Sequence, residues 1–114
     1  DRYWIEPGRH PYLIERNAAP VGFALVWNHP DGTHELTEFT IQTAHRHLGI
    51  GTQAAALIFQ SLGGDWVLGV SRHPQGAMQF WQRCLEDCEG VCEIAPGPAR
   101  TANQIGSFSF RVQR

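Results

Sequence analysis

The sequence predicts a mixed α/β domain: one sheet with antiparallel hairpins at both ends, a single parallel crossover and two helices. Three observations predict it. Apolar strands at the front are joined by turn chemistry. Beyond Gly51 the hydrophobic period changes from two to about 3.6, that of an amphipathic helix. A short apolar strand follows that helix, which calls for a right-handed crossover onto a parallel neighbour. With 114 residues the chain fits one domain, taken as residues 1–114.

Asp1 to Pro11 reads as irregular, and Tyr12 to Glu15 as a short strand. Asn17-Ala18-Ala19 is a turn, and Val21 to Trp27 is a nearly continuous apolar run suited to a buried strand. Asn28 to Gly32 is a tight turn ending in Asp-Gly. Glu35 to Ile41 returns as the next strand. Strict alternation would put Leu36 on one face, with Phe39 and Ile41 on the other. Ile50, Ala54, Leu57, Ile58 and Ser61 form one helical stripe, closed by Gly63-Gly64. Trp66 to Val70 is the next strand, Ala77 to Asp87 the second helix, and Val91–Ile94 and Ser107–Val112 the last two strands.

Composition excludes several classes. Hydrophobic residues make up 42%, enough for a core. The formal net charge is -2 and all nine basic residues are Arg, none in a run, so no basic face is available for nucleic acid. No apolar stretch approaches the ~20 residues that span a bilayer, and no signal peptide is visible. Cys84, Cys88 and Cys92 are odd in number and lack a Cys-x2-Cys knuckle, so they read as reduced thiols on one helix face, in a cytoplasmic protein. His45 and His47 flank Arg46 and read as solvated side chains rather than a metal pair; no metal is expected.

Gly49 and Gly51 stand between a strand and a helix. Glycine allows a tight turn, and a helix N-terminus presents free N–H donors and a partial positive charge. Such a site suits a pyrophosphate, with Arg46 and His47 nearby. Gly49-Ile50-Gly51-Thr52-Gln53-Ala54 also fits a dinucleotide fingerprint, but the region about 20 residues on lacks the acid that the fingerprint requires. A Walker A loop lacks its Gly-Lys pair.

Three stretches in order resemble motifs of the GNAT superfamily of N-acetyltransferases. The central one is a strand, then Arg46-x-x-Gly49-x-Gly51, then a helix. Ala77-Met78-Gln79-Phe80-Trp81 is similar to its following helix, and Pro20 to Val26 to its preceding strand. The resemblance covers about Tyr12 to Leu85; Phe80-Trp81 and Gly63 to Trp66 are similar to a branch of small predicted acetyltransferases. It implies a GNAT-like acyl-CoA N-acyltransferase fold. It implies that the amides of His47, Leu48, Gly49, Ile50, Gly51 and Thr52, with Arg46, hold the pyrophosphate of acetyl-CoA. It further implies that the pantetheine arm pairs with Phe39, Thr40 and Ile41 where the strand splays from Trp66–Val70.

Acetyl transfer to an amine needs a base. Glu35 and Glu38 are the candidates: the resemblance gives Glu35 a catalytic counterpart in some members, while Glu38 lies nearer the thioester but on the other face. His34 is a weaker one. Two positions depart from the family: Trp81 stands where many members have a Tyr acid, and Pro74 where they often have Asn. The family's N-terminal strand and helices, which help form the acceptor pocket, are missing or reduced. A homodimer would cover the sheet edge that this leaves. The expected function is an acetyl-CoA-dependent N-acetyltransferase; the alternative is a non-catalytic acyl-CoA-binding or oligomerising module.

Overall fold

The computed structural model describes residues 8–42, 49–73 and 75–114. The elements are β1 (Arg9–Arg16), β2 (Ala19–Asn28), β3 (His34–Ile41), α1 (Ile50–Leu62), β4 (Gly64–Ser71), α2 (Ala77–Asp87), β5 (Val91–Gly97) and β6 (Gln104–Val112). They form one six-stranded sheet in the order β1-β2-β3-β4-β6-β5. Strands β3 and β4 run parallel; the other neighbours are antiparallel. This is the expected order and class.

Local chemistry explains the turns. Asn17 and Ala18 both have positive φ, 54° and 68°, the left-handed geometry of a two-residue hairpin. Between β2 and β3, Gly32 takes φ 94°, and the Thr33 N–H donates to Asp31 Oδ1 at 2.9 Å. The first strand starts at Arg9, earlier than its apolar residues suggest, because Pro11 sits on an edge strand where a missing N–H costs no ladder bond.

Both helices pack on one face of the sheet. Phe59 of α1 is fully buried and meets Trp66 of β4 and Phe110 of β6 edge-on, each at 5.0 Å between ring centroids. Trp81 of α2 contacts Phe59 and also Phe39 of β3. Leu68, Val70, Phe108 and Val112 complete this core. The other face is open over β1 and β2, where Leu13 and Phe23 are exposed and paired across the strands. Among the described residues no helix is long and apolar enough to cross a membrane.

One expectation fails at β3. Leu25 pairs with Glu38, but Val26 pairs with Leu36, so Thr37 is an extra residue in the strand. This β-bulge resets the alternation. Leu36, Phe39 and Ile41 therefore all belong to the core on the helix side. Cross-strand partners share a face. Glu35 opposite Trp27 and Glu38 opposite Leu25 thus both point to the open face, not to opposite faces.

The cysteines also divide differently. Cys84 lies on α2, Cys88 caps its C-terminus and Cys92 is on β5. All three are free thiols. Burial, with Cys88 and Asp87 adding to it, pushes the Cys84 thiol up to about 12, which leaves it without thiolate character near neutral pH.

Candidate functional site

The two parallel strands part company. Pairing between β3 and β4 covers His34, Glu35 and Leu36 against Trp66, Val67 and Leu68. Beyond it, Thr37–Ile41 and Gly69–Ser71 have no ladder partner between them. A cleft of about 910 Å³ opens there. It runs from Gly51 and Ile41 at one end to Leu36 and Leu68 at the other, with Phe80, Trp81 and Arg83 of α2 along its wall.

The N-terminus of α1 stands at the open end. Gly49 caps the helix with φ 78° and no side-chain bond, and no acid occupies the first turn. The first helical bond runs from the Gln53 N–H to Gly49 O at 3.1 Å. The N–H groups of Ile50, Gly51 and Thr52 precede it and have no acceptor within the helix. The two glycines serve different needs. A side chain at Gly49 would meet open space, so that residue is there for its positive φ; a Cβ on Gly51 would come within 3.3 Å of Phe80 and 3.8 Å of Ile41. Small size at position 51 lets α1, α2 and β3 converge at the mouth of the cleft. Arg46, His47 and Leu48 lie outside the described residues, as do His45 and Pro74.

Phe39, Thr40 and Ile41 line the cleft, as does Glu38. Glu38 is exposed. Glu35 is not among the lining residues. Its carboxylate lies 2.8 Å from His29 Nε2 and 3.8 Å from Arg100 Nε. The two carboxylates therefore share a face but not an environment. His34, at the start of β3, bonds Asn28 Oδ1 through Nδ1 at 2.6 Å; it lies at the paired end of the ladder. Among the described residues no cluster of three His, Cys, Asp or Glu has the arrangement of a metal site.

The two buried tryptophans near the cleft differ. The Trp66 indole N–H donates to Gly63 O at 3.0 Å. Trp81 is only 7% exposed and lines the cleft, yet its N–H has no hydrogen-bond partner among the described residues. Sequence reasoning missed three further groups. Arg83 lies one helical turn after Gln79 and Phe80, on the same stripe; that spacing was a readable signal. His73 lines the cleft from the β4–α2 connection. Gln104 reaches β4 through an irregularity in the pairing of β4 with β6, which no sequence signal marks.

Comparison with known proteins agrees with this geometry. Residues 1–85 match the acetyltransferase (GNAT) family. No curated protein sequence matches. Solved structures of similar fold include an acetyltransferase from Thermus thermophilus, with TM-score 0.69 and 18% identity over 96% of this chain and 67% of that one. The diaminobutyrate acetyltransferase of Paenibacillus lautus, solved with L-2,4-diaminobutyric acid and coenzyme A, gives 0.68 and 13% over 90% and 69%. The PaiA N-acetyltransferase of Thermoplasma acidophilum, solved with coenzyme A, gives 0.63 and 12% over 93% and 62%. The chain thus spans about two thirds of the length of these proteins. It belongs to the GNAT acetyltransferase family.

Proposed function

We propose that this GNAT-family chain transfers the acetyl group of acetyl-CoA to an amine by direct attack. The observation that carries the proposal is the parting of β3 from β4 in front of a helix N-terminus whose first amides have no acceptor among the described residues. An elongated thioester fits that form: its phosphates at Gly49 to Thr52, its arm along Phe39 to Ile41, and its acyl end towards Leu36 and Leu68. Arg46, His47 and Leu48 would add to the phosphate end.

In the reaction the amine nitrogen attacks the thioester carbonyl carbon, the C–S bond breaks, and the thiolate leaves. Glu38 receives the amine proton: it lines the cleft and has no ion-pair partner among the described residues. Glu35 is tied to His29 and Arg100 and lies outside the cleft lining, so it is not the proton acceptor in this reading. The Trp81 N–H donates to sulfur but cannot supply a proton as a Tyr would. That substitution favours a second reading, a module that binds acyl-CoA without turnover. Free thiols support a cytoplasmic location, and exposed Leu13 and Phe23 support a homodimer.

The test is CoA release with a panel of amines. With an accepted amine, Glu38→Gln lowers kcat/KM by about 10²-fold, the usual size of a general-base contribution, and Glu35→Gln lowers it less. Full activity in the double variant would remove the proposed base. Binding of acetyl-CoA with no release for any amine would favour the module.

A further inference from the structure

The carboxamide of Gln104 occupies the space that a side chain at position 69 would need: a Cβ on Gly69 would run into its Nε2, Cδ and Oε1. A strand irregularity puts it there. Val70 pairs with Gly106 but Ser71 pairs with Gln104, so Ile105 is an extra residue in β6. Gly106, Phe108 and Phe110 face the helices, and the bulge turns Gln104 to the open face instead. Gly69 has no positive φ, so its glycine is explained by the carboxamide above it rather than by backbone conformation.

The amide is oriented. Its Oε1 accepts the Arg100 N–H at 2.9 Å, which fixes the plane of the group. Its Nε2 has no hydrogen-bond partner among the described residues. Gly69 is the first residue of β4 beyond the last pair, Leu36 with Leu68, and it lines the cleft. Gln104, like Glu35, is not itself a lining residue, but through Gly69 an N–H donor with no acceptor among the described residues lies beside the closed end of the cleft, on the face that carries Glu35 and Glu38.

We propose that Gln104 is an acyl-recognition residue whose Nε2–H donates to the thioester carbonyl oxygen of a bound acyl-CoA. This rests on the reading of the cleft as an acyl-CoA site. The carbonyl oxygen gains negative charge as the amine attacks, and a fixed donor beside it favours that change. The contact exists only while the acyl group is present. Gln104 therefore distinguishes acetyl-CoA from CoA, whereas the phosphate end at α1 does not.

Calorimetric titration of acetyl-CoA and of CoA tests this. The wild type should prefer acetyl-CoA by roughly three- to tenfold, the worth of one neutral hydrogen bond. Gln104→Leu keeps the bulk and removes the donor; it should abolish the preference and leave CoA affinity unchanged. Gly69→Ala, which displaces the carboxamide, should also abolish the preference for acetyl-CoA in protein whose melting temperature shows it folded. Retention of the preference by Gln104→Leu overturns the proposal. Parallel weakening towards both ligands overturns it too, since that is the mark of a structural role, as does a wild type that binds both equally. A wild type that binds neither overturns the acyl-CoA reading of the cleft along with it.

Discussion

The paired and the parted segments of β3 and β4 differ in how their polar groups are satisfied. In the paired segment the ladder holds His34 to Leu36 against Trp66 to Leu68, and the Trp66 indole is bonded within the protein. In the parted segment the facing backbones have no partner between them, and neither the Trp81 indole nor the Gln104 Nε2 has one among the described residues. Buried polar groups in folded proteins are nearly always paired. Trp81 is buried and lines the cleft, and Gln104 is half-buried over Gly69, a lining residue; in the proposed reading a ligand supplies the partners that these groups lack. In that reading the paired segment serves stability and the parted one binding.

Substitutions can break or sharpen that contrast. The largest effect belongs to the paired segment. Trp66→Ala removes a fully buried ring packed on Phe59 and Phe110, and chemical denaturation should show a loss of about 3–5 kcal/mol. Trp81→Phe should cost less, about 1–2 kcal/mol, because a phenyl ring still fills most of the space and the lost N–H has no partner among the described residues. Its effect should appear instead as weaker acetyl-CoA binding. A stability loss for Trp81→Phe as large as that for Trp66→Ala would erase the distinction.

The smallest effect is a pH dependence at the foot of the paired segment. Burial lowers the His34 pKa, His10 adds to this, and Asp65 opposes it. The folded state therefore favours neutral His34. Its contribution is present above the unfolded value of about 6.5 and is lost as pH falls through the lower folded value. Denaturation midpoints measured between pH 7 and pH 5 should fall, and His34→Gln should flatten part of that slope. An unchanged slope would show that His34 protonation is not coupled to folding.

Much of the fold was legible in the sequence because turn residues and periodicity act locally. Asn17-Ala18, Gly32 and Gly63 end their elements where their chemistry requires. Of the expected α1 stripe Ile50, Ala54 and Ile58 are buried, but Leu57 and Ser61 are exposed and the buried face turns instead to Ala55 and Phe59. The glycine pair was legible as a turn, though not that Gly49 serves backbone geometry and Gly51 close packing. The two bulges were not legible. Thr37 and Ile105 carry no residue signature of an extra position, and a single inserted residue transfers every side chain beyond it to the other face. Strict alternation therefore separated Glu35 from Glu38, and gave no reason to look at Gln104. Both errors fall at the closed end of the cleft, where the strands depart from regular pairing.

The central claim is that the parted segment with the α1 N-terminus is an acyl-CoA site. Its most direct test is calorimetric binding of acetyl-CoA to the wild type and to the Gly49→Val, Gly51→Val double variant, with circular dichroism to show that both are folded. Valine cannot readily hold φ 78° at position 49, and at position 51 it would push against Phe80. The account predicts measurable binding by the wild type and at least a roughly tenfold weaker affinity in the variant, about 1.4 kcal/mol. Equal affinity in the two proteins would contradict it.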